Sequence, residues 1–234
     1  MKSIIEELKN SNKEELLKIT LEKVHENQKL CNSFVTIIDD VKLNKETDSP
    51  LSNIPYVLKD NYSTKGILTT GSSNTLKDYI PPYNSTVYEK LCNAGAIMVA
   101  KSVMDEFGMG GTGLTGHTGV VHNPWNTDLI AGGSSAGSAA SVAAGVVPFS
   151  IGSDTGDSVR KPAAHCGIVG YKPTYGMISR YGLFPFASSL DTCGVLTRNV
   201  KDAAIVVDAM KGLDSKDQTS WDSSDINLYK SIII

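Results

Sequence analysis

Two segments rich in glycine and serine, together with one lysine, contain the residue types that nucleophilic catalysis requires. The segments are residues 132–138 (GGSSAGS) and 152–160 (GSDTGDSVR). A catalytic serine needs a base that takes its proton and N–H groups that stabilise an oxyanion. No histidine is well placed, so Lys59, which follows a short apolar run, is our candidate base. A buried lysine can fulfil this role because desolvation lowers its pKa towards neutrality.

The first of these segments allows three interpretations. A phosphate-binding loop would end in G-K-[ST], and no lysine is present there. Gly133-x-Ser135-x-Gly137 also fits the nucleophile elbow of an α/β-hydrolase with Ser135 as nucleophile, although His165 is the only histidine downstream. The third interpretation is a tight turn with serines that cap a helix. Two such segments, separated by a small-residue helix and a buried strand, favour the lysine-based site.

Simpler roles also exist for the candidate residues. Lys59 could be solvated or paired with neighbouring Asp60, and Ser134 and Ser158 could each be helix N-caps. Residues 108–113 match G-x-G-x-x-G, but they neither follow a strand directly nor open a helix, so a dinucleotide site is rejected. His117, His122 and His165 lack metal-ligand spacing, and we expect the chain to bind no metal or cofactor.

Helical segments alternate with short apolar runs around these polar segments. Strands are predicted at 34–38, 54–60, 96–100 and 146–151, and helices within the first thirty residues and at 85–93, 136–144 and 201–211, with loops at 108–137 and 152–160. Residues 11–14 form a capping box at the start of an N-terminal helix. The alternation predicts an α/β fold with a mixed, mostly parallel sheet surrounded by helices.

Composition excludes several classes of protein. With 234 residues, 41% of them hydrophobic, and a net charge of −3, the chain is neither disordered nor a basic nucleic-acid binder. We expect one domain over 1–234, with a helical segment at about 1–30 and a catalytic core at about 54–212. Four widely spaced cysteines and no apparent signal peptide or membrane-spanning run predict reduced thiols and a cytoplasmic location.

Residues 57–61 (VLKDN), 132–135 (GGSS) and 155–160 (TGDSVR) together resemble the motifs of the amidase signature family. The resemblance continues through 162–174, and the spacings between its key residues agree with the family register. It implies the amidase signature fold, with Lys59 as base, Ser134 as a serine that follows a cis peptide, and Ser158 as nucleophile. It also implies an oxyanion hole formed by the N–H groups of Thr155, Gly156 and Asp157.

Four further segments, 104–110, 122–126, 174–183 and 186–191, are similar to the A subunits of glutamyl-tRNA(Gln)/aspartyl-tRNA(Asn) amidotransferases within that family. This similarity implies release of ammonia from glutamine and its transfer to a B subunit in a complex with a C subunit. ATP, Mg²⁺ and the misacylated tRNA would then be bound by the partner. Alternatives are a stand-alone amidase of the same family and a truncated, non-catalytic subunit.

The sequence departs from the family pattern in two respects. Asp157 stands where the family has glycine, beside the proposed nucleophile. Because a carboxylate would repel a developing oxyanion, we expect Asp157 to point away from the site, towards a lysine or an arginine such as Arg160. The resemblance also covers only the N-terminal half of family members, so we expect a fragment or a split gene product.

Overall fold

A central sheet of six strands organises residues 2–232, which are the residues that the computed structural model describes. Two further strands form a separate hairpin. The strands in chain order are β1 (Phe34–Ile37), β2 (Pro55–Lys59), β3 (Ile97–Ser102), β4 (His122–Asn123), β5 (Asn126–Ile130), β6 (Phe149–Asp154), β7 (Val169–Tyr171) and β8 (Thr192–Thr197). The six-stranded sheet has the order β1-β3-β2-β6-β8-β7, and the hairpin is β4-β5.

Parallel pairing is confined to the centre of the sheet, where β2 lies between β3 and β6. The outer pairs β1–β3, β6–β8 and β8–β7 are antiparallel. The predicted α/β class and mixed sheet are therefore confirmed, but parallel pairs are not the majority. Since β2 is flanked on both sides, its side chains are buried along its whole length, as is usual for a central parallel strand.

Seven α-helices cover the two faces of this sheet within the described residues. They are α1 (Ile4–Lys9), α2 (Lys13–Cys31), α3 (Thr86–Asn93), α4 (Ala136–Ala143), α5 (Arg160–Cys166), α6 (Val200–Met210) and α7 (Leu228–Ser231). Tyr56 and Leu58 of β2 pack in one core cluster with α1, α3 and α6, and Val57 packs in the other with α2, α4 and α5. No helix in this part of the chain is long and apolar enough to cross a membrane.

The structure differs from the sequence predictions at several elements. The hairpin β4–β5 lies inside the segment predicted as loop, and β7 and β8 were not predicted. Strand β6 begins and ends three residues later than expected, because its polar C-terminal half pairs with β8 in an unbroken register. Asn12, rather than Ser11, caps α2, since its side chain accepts the N–H groups of Glu14 and Glu15.

Candidate active site

Lys59 is the last residue of β2, and its side chain is completely buried at the C-terminal edge of the central parallel strands. Its Nζ lies 2.7 Å from the Oγ of Ser134. It also lies 2.9 Å from the Oγ and 3.3 Å from the carbonyl oxygen of Ser153, at the end of β6. Lys59 is thus neither solvated nor paired with Asp60, and it is held in contact with one of the predicted catalytic serines.

The pKa of the Lys59 amine is well below that of an ordinary lysine. Burial lowers its pKa from 10.5 to about 7, while the negative charges of Asp105, Asp154 and Asp191 act in the opposite direction. Desolvation exceeds the combined effect of the three carboxylates, so the pKa of Lys59 stays well below its ordinary value. A substantial fraction of Lys59 is therefore neutral near pH 7 and can accept a proton.

Ser134 lies between the hairpin and α4, and the peptide bond that joins it to Gly133 is cis. Its carbonyl oxygen accepts the backbone N–H of Asp105 at 3.2 Å. The buried carboxylate of Asp105 in turn accepts the four consecutive N–H groups of residues 112–115. A Cβ at Gly133 would lie 2.0 Å from Asp105 Oδ2, so only glycine allows this approach. Asp105 thereby fixes two glycine-rich segments around Ser134.

Ser158 lies on the turn that joins β6 to α5, and its side chain is buried. The N–H of Ser135 donates to the carbonyl oxygen of Ser158 at 3.1 Å, which brings this turn beside the Ser134 segment. Within residues 2–232, the N–H groups of residues 155–158 have no protein acceptor. Consecutive unpaired N–H groups provide a binding site for an anion. The structure therefore brings Lys59 and Ser134 into direct contact and places the Ser158 turn next to them.

Buried carboxylates hold that turn in shape. Asp154 accepts the N–H of Val159 at 2.9 Å and a guanidinium N–H of Arg160 at 3.0 Å. Burial alone would raise the pKa of Asp154, but these bonds keep it below its ordinary value. At the other side of the turn, Thr155 Oγ1 donates to Asp191 at 2.6 Å. The N–H groups of the turn are thus preorganised by contacts outside it.

Asp157 pairs with a cation, as expected, and this cation is a lysine. Its carboxylate lies 3.2 Å from Lys161 Nζ, and both side chains are partly exposed. Arg160 instead bonds to Asp154 and to the carbonyl oxygen of Gly156. The expectation that Asp157 points towards a lysine or an arginine is therefore confirmed, with Lys161, four positions on, as the partner in place of the example Arg160.

The simpler roles for the serines do not apply here. The N-cap of α4 is Ser135, not Ser134, and the N-cap of α5 is Val159, not Ser158. Ser135 Oγ donates to the carbonyl oxygen of Ser153 at 3.2 Å and is fully buried. Its hydroxyl is engaged in holding α4 against β6, which disfavours its interpretation as the nucleophile of an elbow.

A second buried lysine was missed in the sequence. Lys101, on β3, lies 3.7 Å from Asp60 and donates to the carbonyl oxygen of Tyr62 at 2.7 Å. Burial lowers the pKa of Lys101 to about 8, against the effect of Asp60. The pair holds the segment that follows Lys59. The apolar run from Ile97 to Ala100, followed at once by the lysine within the same strand, was the signal that could have revealed it.

The described residues contain no group of three or more His, Cys, Asp or Glu side chains that could hold a metal ion. The Amidase family model matches residues 15–231. The chain belongs to the Amidase family. The matched residues include every element that contributes to the site, from β2 to α5.

Within the Amidase family, the chain is similar to the A subunit of a glutamyl-tRNA(Gln) amidotransferase from Mycoplasma pneumoniae. The two are 59% identical over 181 residues, which cover 77% of this chain and 38% of that protein. A crystal structure of the corresponding protein from Thermotoga maritima is 41% identical, with a TM-score of 0.87 over 94% of this chain and 49% of that one. The chain spans about half the length of these relatives.

The fold also matches that of a hydrolase with another name. A structure of 6-aminohexanoate cyclic dimer hydrolase complexed with its substrate is 27% identical, with a TM-score of 0.89 over 97% of this chain and 50% of that one. The same arrangement of sheet and helices is therefore shared between proteins that act on different compounds.

Proposed function

We propose that this chain carries the glutamine-hydrolysing site of a tRNA-dependent amidotransferase, with Ser158 as nucleophile, Ser134 as proton relay and Lys59 as base. The observation that supports this most strongly is the 2.7 Å contact between Lys59 Nζ and Ser134 Oγ, beside a turn with unpaired N–H groups. The similarity to the A subunits of glutamyl-tRNA(Gln) amidotransferases supports glutamine as the substrate.

In the proposed reaction, Ser158 Oγ attacks the carboxamide carbon of glutamine. The hydroxyl proton passes through Ser134 to neutral Lys59, and the oxyanion accepts N–H groups of Thr155, Gly156 and Asp157. Loss of one such donor typically slows a reaction by about 10²–10³-fold. The tetrahedral intermediate collapses as the relay returns the proton to the departing ammonia, which leaves a γ-glutamyl ester on Ser158. Water then attacks this ester with the same relay, and glutamate is released.

Ammonia would be used by separate subunits of the complex. We propose partner subunits of the B and C types, of which the B subunit binds ATP, Mg²⁺ and the misacylated tRNA. A net charge of −3 suits a chain that does not itself hold tRNA. A stand-alone amidase is the second candidate, because the fold is shared with a hydrolase of a cyclic dimer.

Peptide mass spectrometry after a rapid acid quench tests the nucleophile. With glutamine, we expect an acyl adduct on the peptide that contains Ser158, and no adduct in Ser158→Ala, Ser134→Ala or Lys59→Ala. Ser141→Ala is the matched control, since its Oγ only donates to Ser138 within α4. An adduct on Ser135 would instead support a hydrolase elbow, and would overturn the assignment of Ser158.

Ammonia release tests the assembly. A rate that rises when a B-type partner, ATP and glutamylated tRNA are added supports the amidotransferase function. A rate of ammonia release that does not change with these additions supports the stand-alone amidase. Absence of a Ser158 adduct in the complete assembly would support the third possibility, a non-catalytic subunit.

A further inference from the structure

Besides Ser134, the amine of Lys59 contacts two oxygen atoms of Ser153. Ser153, the fifth residue of β6, places its Oγ 2.9 Å and its carbonyl oxygen 3.3 Å from Lys59 Nζ. Asn61, two residues beyond Lys59, donates from Nδ2 to the same Ser153 Oγ at 2.9 Å. All three side chains are buried, with exposed fractions of 0%, 8% and 3% for Lys59, Ser153 and Asn61.

The number of contacts on the amine matches its number of hydrogen-bonding groups. A neutral amine has two N–H groups and one lone pair, and three oxygens surround Nζ. The Ser153 carbonyl oxygen can only accept, so it takes one N–H. If the Ser153 hydroxyl takes the other, the lone pair is left facing the hydroxyl of Ser134. After proton transfer, the resulting ammonium can donate to the same three oxygens without moving.

We propose that Ser153 and Asn61 are positioning residues that orient the Lys59 amine so that its lone pair faces Ser134. This inference rests on the proposed function, because it concerns how the base of that site is held. Asn61 acts through Ser153: its amide fixes the hydroxyl that receives the N–H of Lys59. The two residues come from the ends of two adjacent parallel strands, so their placement follows from the register of β2 and β6.

The neutrality of the Asn61 amide matters as well as its shape. The charged groups that face Lys59 are Asp105, Asp154 and Asp191, and together they raise its pKa against burial. A carboxylate in place of the Asn61 amide would add a fourth negative charge, two hydrogen bonds away from Nζ. At a separation of about 5–6 Å and an effective dielectric constant of about 20, it would raise the pKa of Lys59 by about two. A neutral amide at this position keeps the base usable near pH 7.

Two substitutions should move the activity in opposite directions along the pH axis. Asn61→Asp is expected to shift the acidic limb of the pH–rate profile upwards by about two pH units. Ser153→Ala removes an acceptor that stabilises the ammonium, so it should shift the limb downwards by about one unit and lower the plateau rate about tenfold. Ser153→Thr retains a hydroxyl and should restore the wild-type limb.

The pH–rate profile of the full chain is measured as the rate at which an alkyl fluorophosphonate labels it at each pH. Ser158 Oγ forms a bond to phosphorus, fluoride leaves, and the hydroxyl proton passes through Ser134 to Lys59. Ser150→Ala is the matched control, because Ser150 also lies buried on β6, but its Oγ donates to the carbonyl oxygen of Ser138. Its acidic limb should coincide with that of the wild type.

A direct titration separates failure of this inference from failure of the proposed function. The pKa of Lys59 is followed through the NMR shift of its ε-carbon in lysine-labelled chain, with Lys59→Arg to assign the signal. Absence of labelling at Ser158 in the wild type would overturn the proposed function. An unchanged pKa in both Asn61→Asp and Ser153→Ala would overturn the positioning role, whether or not labelling occurs. Opposite shifts in the two variants support it.

Discussion

Replacing Lys59 with methionine is expected to remove a pH-dependent part of the free energy of unfolding. Methionine has a similar length and no titratable group. The Lys59 amine is fully buried, and burial lowers its pKa from 10.5 to about 7. Between these two pH values the unfolded chain holds the proton and the folded chain does not. Unfolding therefore takes up a proton, and the stability of the wild type rises with pH across this window.

The size of the effect follows from the same two values. A difference of one proton changes the free energy of unfolding by about 1.4 kcal/mol per pH unit. Allowing for partial protonation near each pKa, the wild type should gain about 2 kcal/mol relative to Lys59→Met between about pH 7.5 and about pH 9.5. Below the folded pKa, both states are protonated and the difference between wild type and variant becomes constant. Lys101 titrates in both proteins, so its contribution cancels.

Urea unfolding at several pH values, followed by circular dichroism, measures this difference. The same substitution at exposed Lys18 of α2 is the control, and its difference from the wild type should vary by less than about 0.5 kcal/mol. A Lys59→Met difference that stays constant across the window would refute a lowered pKa for Lys59. It would also remove the physical basis for a neutral base at this position.

Three other substitutions follow from contacts described above or from close packing. Gly137→Ala should destabilise the chain by about 2–4 kcal/mol in urea unfolding, because its Cβ would lie 2.1 Å from the carbonyl oxygen of Ser33. Asp154→Asn should lower the Ser158 labelling rate about 100-fold, since the turn loses its charged acceptor. The unfolding free energy of this variant should also fall less than that of the wild type at acid pH. In the wild type, the low pKa of Asp154 contributes stability at neutral pH, and protonation of Asp154 at acid pH removes that contribution. Lys161→Ala, which frees the Asp157 carboxylate, should slow labelling several-fold but change stability by less than about 0.5 kcal/mol.

Each of these predictions has an outcome that contradicts it. Wild-type stability in Gly137→Ala would show that α4 is not packed against the chain near Ser33. Unchanged labelling in Asp154→Asn would mean that the turn keeps its shape without the carboxylate. A loss of labelling in Lys161→Ala that persists when Asp157 is also replaced by glycine would exclude repulsion by that carboxylate.

The elements that place the site could largely be predicted from the sequence, because strong local signals mark them. Lys59 closes an apolar run, Ser85 caps α3, and small residues mark α4, so their positions follow from local patterns. The contact between Lys59 and Ser134 was implied by a family resemblance and not by spacing alone. Two residues 75 positions apart meet only through tertiary structure.

The strands and contacts that the sequence patterns did not predict have few local signals. Strand β7 has three residues, and the C-terminal half of β6 is Gly-Ser-Asp, which is typical of a turn. Its extension comes from pairing with β8, which lies about forty residues further along the chain. The roles of Ser153 and Asp105 depend equally on distant partners. Pairings of this kind are decided by packing of the whole sheet, which no single window of sequence contains.

The burial of Lys59 also links chemical reactivity to the order of folding. Strands β2 and β6 pair in parallel, and roughly ninety residues separate them. We therefore expect this pairing to form later than the local helices during folding. Until that pairing forms, the amine of Lys59 is hydrated and has the ordinary basicity of a lysine, which leaves it protonated in a neutral medium. Under the proposed function, a nascent or partly unfolded chain therefore cannot activate Ser158, and hydrolysis would begin only in molecules whose sheet is complete.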